Sequence, residues 1–372
     1  MRNRAQEQAR IAVVTFAALG DSILASPAVH ALRSVFPRHK ISVVTRPELV
    51  ETHRELQTHD ELLEVRGCRT RRFGRPRFVL DLMRDHLRWL GRARVDWAII
   101  ARPDGPVDYE ALFCRMLRPR RLLAFARATC GGRSLDAGGL PGVSALIASE
   151  DGSHEVDRYF RIPQFFDPRL TLDRSRVRRP RKDAARQVAA RTRLGGVGDE
   201  PIVVLGVGAR APSRRWPAER FARLVDLVRA QIPCRFVITG AADDAPIASE
   251  IVGRTSRPEA IVDLAGRTSL GESLGIISVS DLFFGNCSGV KHLASIAGLP
   301  TIEVNLNPPG ASPDHAFAAQ RFHACFGPTT VLQPPGNREG CHGACTSDEA
   351  HCILGVSVDA AADCVVRALR AR

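Results

Sequence analysis

The feature that most constrains this chain is a rhythm that runs through it twice. Short runs of valine, isoleucine and leucine alternate with segments of helical periodicity from residue 11 onward, and the alternation restarts near residue 202. In the first half, 11–16, 41–45, 62–65 and 96–101 read as strands. Helices are predicted from Ser26, with Pro27 at the first helical position, from Pro47, and over 77–94 and 109–117. Residues 126–155 lose the rhythm. Gly195-Gly196-Val197-Gly198 then resets the chain, and strands at 202–205, 236–239, 260–263, 281–284 and 301–304 alternate with helices at 217–230, 243–253, 270–278 and 289–297. A last amphipathic helix covers 356–370. Continuous apolar strands are covered on both faces, so the pattern predicts α/β architecture with two Rossmann-like, doubly wound parallel sheets. The expected domains are 1–178 and 179–372, facing one another across a cleft. Ligands in such sheets bind beyond the carboxyl ends of the strands.

Bulk properties narrow the function classes. No apolar run approaches the roughly 20 residues that span a bilayer. The stretch 11–16 is too short for a signal-peptide core, so a cytoplasmic protein is expected. The formal net charge is +13, and all basic residues but Lys40, Lys182 and Lys291 are arginines. Such an excess favours anionic partners, a phosphorylated glycolipid or the inner-membrane surface among them. No nucleic-acid-binding motif accompanies it, and a nucleic-acid partner is not expected.

Three motifs fall at predicted strand ends. Leu19-Gly20-Asp21-Ser22 follows the first strand. A tight turn there sets the Asp21 carboxylate where it can serve as a general base, with Gly20 and Ser22 on the acceptor side; a plain helix cap is the alternative role. Gly206-Val207-Gly208 follows the strand at 202–205, and Ser213-Arg214-Arg215-Trp216-Pro217 comes next. The glycines admit a ligand to the backbone, and Arg214 offers charge to a phosphate. Ala211 completes a G-x-G-x-x-A pattern, but Pro212 and Pro217 delay the helix that a dinucleotide fingerprint would open. Asn286-Cys287-Ser288-Gly289-Val290-Lys291-His292 links the strand at 281–284 to an apolar helix. Ser288 is expected to cap that helix, whose first N–H groups with Gly289 and His292 suit a pyrophosphate. The chain has no Asp-x-Asp pair, so cationic side chains and helix dipoles must balance a diphosphate.

The stretches IAVVTFAALGDSILASPAVHALRSVFP, VVLGVGARAPSRRWPAERFARLV, FVITGAADD and VDLAGRTSLGESLGIISVSDLFFGNCSGVKHLASIAGLPTIEV together resemble glycosyltransferase family 9, the ADP-heptose lipopolysaccharide heptosyltransferases of GT-B fold. The resemblance implies an inverting transfer with Asp21 as base, and a nucleotide-diphosphate sugar as donor. It implies donor contacts from Arg214, Ser288, Gly289 and His292, and from Asp243 or Asp244. It needs no cofactor for transfer. Two positions depart from the family. Cys287 stands where the family reads the aspartate of Asn-Asp-Ser-Gly, a donor-sugar contact, and Arg214 stands for a lysine. A protein acceptor, another nucleotide sugar, and an inactive binding or scaffold protein are the competing readings.

Ten cysteines in a chain of this length do not make a secreted disulfide scaffold. Half of them crowd towards the C-terminus. Cys325, Cys341, Cys345 and Cys352 form a candidate structural zinc or iron site, with His323, His342 and His351 able to contribute.

Overall fold

The computed structural model describes the chain except residues 1–8, 67–83, 85–94, 131, 137, 149–151, 196–197, 313–317, 340, 342–346 and 348. The chain divides into two units: Met1–Glu150 with Glu155–Asp173, and Asp151–His154 with Arg174–Arg372. Each is built on a parallel six-stranded sheet whose apolar strands are buried on both faces.

In the first unit the strands are β1 (Arg10–Val14), β2 (Lys40–Thr45), β3 (Glu61–Glu64), β4 (Val95–Ile100), β5 (Arg121–Phe125) and β6 (Ala145–Ile147). They lie in the order β3-β2-β1-β4-β5-β6. Helices α1 (Leu19–Val35), α2 (Val50–Leu56), α3 (Asp108–Leu117) and α4 (Glu155–Phe166) accompany them, and α1 packs chiefly on α4. The last two strands were not expected. β6 has three residues, too few to display a period, and β5 opens on an arginine. Short strands at Ala128–Cys130 and Arg133–Ser134 also occupy the segment without rhythm. Of the predicted helix at 77–94 only Arg84 is described.

The start of α1 corrects the sequence reading. The helix begins at Leu19, not near Ser26, and Pro27 lies inside it. Proline has no N–H to give the carbonyl four residues back, here that of Ile23. The Ser26 hydroxyl donates to that carbonyl instead, at 2.8 Å. The helix therefore runs on through its proline, and Asp21 falls within its first turn.

The second unit repeats the plan. Strands β7 (Ile202–Gly206), β8 (Arg235–Ile238), β9 (Ile261–Asp263), β10 (Leu282–Asn286), β11 (Thr301–Val304) and β12 (Thr329–Leu332) lie in the order β9-β8-β7-β10-β11-β12. Helices α5 (Ala184–Arg193), α6 (Ala218–Arg229), α7 (Ala245–Arg254), α8 (Leu270–Ser278), α9 (Gly289–Ala297), α10 (Ala319–Phe322) and α11 (Val358–Arg370) surround it. Trp216, Phe221 and Phe284 pack edge-on and tilted against one another in its core, and α11 lies on α6.

Glycine is required where β7 meets β10. Gly206 pairs with Gly285, and a Cβ on Gly285 would fall on the Gly206 carbonyl. Backbone cannot swing aside as a side chain can. Gly285→Ala is expected to cost about 1–3 kcal/mol of stability, read as a lowered urea midpoint. An unchanged midpoint would mean that the two strands can part without loss.

Both sheets share one topology. Strand order reverses between β1 and β4 and again between β7 and β10, and at such a switch point the crossovers leave on opposite faces and open a crevice beyond the strand ends. Asp21 follows β1, Gly206-Val207-Gly208 closes β7, and Asn286-Cys287-Ser288 closes β10. The fold thus carries the sequence motifs to its two natural ligand positions.

Candidate functional site

In the first unit, Asp21 is the third residue of α1, and its Oδ2 accepts the Ala18 N–H at 3.2 Å. It is therefore a helix-capping residue, and the cap is one part of its surroundings. The side chain is half-buried. Withdrawal from water raises its pKa from 3.8 to about 6, and the Glu155 carboxylate adds to the rise; the Ala18 N–H and Arg102 oppose it. Glu155 opens α4, is buried, and accepts from Arg158 Nη1 at 2.8 Å. The same guanidinium nitrogen lies 3.0 Å from Asp104 Oδ2. Tyr159 is buried in this group, and burial with the neighbouring Asp21 and Glu155 holds its phenol neutral. A carboxyl with a pKa near neutrality, at a strand end, has the properties of a general base. Gly20 is half-buried beside it. Ser22 is fully buried, and its hydroxyl has no hydrogen-bond partner among the described residues.

In the second unit, three motifs far apart in sequence converge. Asn286 is fully buried; its Nδ2 donates to the Val207 carbonyl at 2.7 Å and its Oδ1 accepts the Trp216 N–H at 3.0 Å. Its amide thus joins the β7 and β10 loops. Arg214, on the single 3-10 turn Pro212–Arg214, donates to the Cys287 carbonyl at 2.6 Å. Gly208 and Gly240 leave room for one carboxylate: a Cβ on either would strike Asp244. Of the two adjacent aspartates, Asp244 therefore lies against the glycine loops, and Asp243 is exposed.

Ser288 takes the N-cap position of α9, yet its side chain does not cap the helix, contrary to the sequence reading. Its hydroxyl and the Nδ1 of the buried His292 have no hydrogen-bond partner among the described residues. Burial holds His292 well below the ordinary histidine pKa, as do Lys291, His154, His323 and Arg214 around it. These neighbours are imidazoles and cations, so the group favours an anion. Cys287 is buried, and its sulfur accepts from Lys291 Nζ at 3.1 Å. Lys291 also meets Glu303 Oε2 at 2.8 Å and donates to the Phe322 carbonyl.

Sequence reasoning missed Glu155, Arg158 and His154, and offered His323 to the cysteine cluster rather than to the surroundings of His292. His154 Nε2 donates to the His323 carbonyl at 2.9 Å, and the two rings meet edge-on. A Glu–Arg pair three apart on an amphipathic helix reads as a solvated pair, and no spacing rule brings residue 154 to residue 323.

The C-terminal thiols resolve in part. Ligand atoms of Cys341, His351 and Cys352 all lie within 4.8 Å of one another, and His351 Nδ1 is 3.0 Å from Cys352 Sγ. His351 thus joins this group, Cys325 lies outside it, and Cys345 falls outside the described residues.

Two Rossmann-like parallel-sheet domains, each with a polar group at its switch point, are the architecture of the GT-B fold. The solved structure of a family 9 glycosyl transferase from Veillonella parvula matches with a TM-score of 0.75 at 18% identity, covering 98% of each chain. Escherichia coli ADP-heptose LPS heptosyltransferase II matches with a TM-score of 0.73 at 17% identity, over 97% of this chain and 98% of that one. In sequence, the profile of glycosyltransferase family 9 (heptosyltransferase) matches residues 125–305. Lipooligosaccharide heptosyltransferase 2 of Haemophilus influenzae is 30% identical over 140 residues, which span 36% of this chain and 38% of that relative. Over residues 125–305 the chain is thus similar in sequence to glycosyltransferase family 9, and it shares the fold of that family's solved structures from end to end.

Proposed function

We propose that this chain is an inverting glycosyltransferase that moves heptose from ADP-heptose to a lipopolysaccharide-core-type glycolipid. The observation that carries the reading is Asp21, a half-buried carboxyl at a switch point whose pKa is raised to about 6. Asp21 takes the proton of the acceptor hydroxyl as its oxygen attacks the anomeric carbon from the face opposite the diphosphate. Arg214, the N–H groups after Ser288, and His292 balance the departing nucleotide diphosphate. The uncapped start of α9, with an unpartnered serine hydroxyl and a buried unpartnered imidazole nitrogen, supports that role. The positive charge would hold an anionic acceptor and favour peripheral contact with the cytoplasmic face of the inner membrane; among the described residues, no helix is long and apolar enough to cross one.

Cys287 supports a second reading of the donor. Its side chain faces Lys291, so the carboxylate that the family offers a donor sugar is replaced by an engaged thiol. The discriminating assay incubates the protein with ADP-heptose or other nucleotide sugars, and with glycolipid or protein acceptors. Acceptor-dependent ADP release from ADP-heptose with glycolipid labelling is expected. Turnover with another sugar alone reassigns the donor, labelling of protein alone reassigns the acceptor, and no turnover with any donor leaves a binding protein.

Cys341, His351 and Cys352 offer two thiols and an imidazole, a donor set that suits zinc or iron. We propose a structural ion there, outside the transfer chemistry. Elemental analysis of anaerobically purified protein should find one equivalent, lost on Cys352→Ser; metal-free wild type removes the proposal.

A further inference from the structure

The group around Asp21 is dense in buried and half-buried charge. Asp21, Glu155, Asp104 and Glu110 lie among the guanidinium groups of Arg158, Arg102 and Arg46. Arg158 Nη1 serves both Glu155, at 2.8 Å, and Asp104, at 3.0 Å. Arg102 lies 3.8 Å from Glu110 Oε1 and donates to the Asp104 backbone carbonyl. Arg158 and Glu155 expose only 5% and 3% of their side chains, so water screens this group weakly. Asp104 follows β4, across the switch point from β1, and Glu155 opens the helix that packs on α1. Phe36 and Phe166, at the far ends of those two helices, meet with ring centroids 4.8 Å apart, so both helices start at the same end, with Asp21 and Glu155 in their first turns. Beside them, Tyr159 stays neutral and adds no charge.

From this arrangement we infer that Glu155 and Arg158 are positioning residues that set the basicity of Asp21, Glu155 by repelling the ionised carboxylate and Arg158 by screening that repulsion. The inference rests on the reading of Asp21 as the base. It assigns to the start of α4 a task that packing alone does not require. A base with an ordinary carboxylate pKa would be ionised at neutral pH but a weak proton acceptor. A carboxylate neighbour strengthens it without touching substrate. The partial screen by Arg158 keeps the base from becoming protonated at the working pH. Arg158 thus caps how far the repulsion can act.

The two residues act with opposite sign, which a merely structural role would not do. Glu155→Gln keeps the shape and removes the charge, so the acid limb of kcat/KM should move down by about half a pH unit or more. Arg158→Gln unscreens Glu155 and Asp104, so that limb should move up. Both limbs unmoved, or both moved the same way, would overturn the inference. Carbon-13 NMR of the Asp21 carboxyl in the full-length protein gives a second readout. Opposite titration shifts in the two variants with an unmoved rate profile would keep the electrostatic device and remove Asp21 as base. Absence of shifts in both readouts removes the device. If Arg158→Gln unfolds, Arg158→Lys, which retains charge but not the double contact, should give a smaller upward movement; a downward one would overturn the inference.

Discussion

Asp21→Asn is expected to lower transfer by about 10²- to 10⁴-fold, the usual contribution of a general base. Asparagine keeps an oxygen for the Ala18 N–H, so the first turn of α1 survives. Asp21→Ala removes that acceptor as well and should lose stability that the asparagine variant keeps. Neither change touches the second unit's contacts to Arg214, Ser288 or His292, so affinity for ADP should stay at the wild-type value. Retained turnover in Asp21→Asn would take Asp21 out of the mechanism.

The same carboxyl predicts two pH dependences. In the wild type, kcat/KM should fall as pH drops through about 6, where the base becomes protonated. The stability effect follows from proton linkage. A folded pKa raised above the unfolded value of 3.8 means that the folded state holds the proton more tightly. Its stabilising contribution is full below 3.8 and is lost as pH rises through about 6. At neutral pH the ionised Asp21 is therefore a cost to the fold, reduced by its partial exposure to water. Asp21→Asn should melt above wild type at pH 8, with the difference narrowing towards pH 4. A variant that melts below wild type at pH 8 would mean that the cap outweighs the cost of desolvation.

The sequence disclosed most of this site, for a physical reason. Buried parallel strands demand continuous apolar runs, and strand ends demand glycine or a helix start, so order and position of the motifs were written locally. Helices 270–278 and 289–297 fall where periodicity put them. What failed was long-range or depended on one atom. The start of α1 was misplaced because a serine hydroxyl bonds the carbonyl that Pro27 cannot reach. Asp244 rather than Asp243 lies against Gly208 because two glycines, 32 residues apart, open space for one carboxylate. Ser288 has the identity of a cap and does not act as one. The partners of Asp21 were invisible because they come from beyond the end of β4 and from the start of α4, both far along the chain.

Lys291 and Glu303 provide the second large effect, on stability rather than rate. Both side chains are fully buried, 2.8 Å apart. Burial works against the lysine charge, but the Cys287 sulfur and the Glu303 carboxylate outweigh it and hold the Lys291 pKa above its ordinary value. The carboxylate has further support: the Ala324 N–H donates to Glu303 Oε2 at 3.1 Å. Removing one partner leaves a charge with no water and no counter-ion. Glu303→Leu is expected to cost about 3–5 kcal/mol, and Lys291→Met a comparable amount. The double variant should recover most of the loss, because an apolar pair of similar volume has no charge to desolvate. A double-mutant cycle in urea measures this directly, and single variants close to wild type would show that the pair contributes little. Function should follow stability here. Lys291 reaches back to Cys287, whose carbonyl receives Arg214, so loss of the pair frees the turn that carries Ser288 and Gly289. The single variants should therefore bind ADP more weakly than wild type even where they remain folded. The stable double variant should stay weaker too, because methionine cannot donate to the Cys287 sulfur. ADP affinity recovered in full by the double variant would make the pair a matter of stability alone.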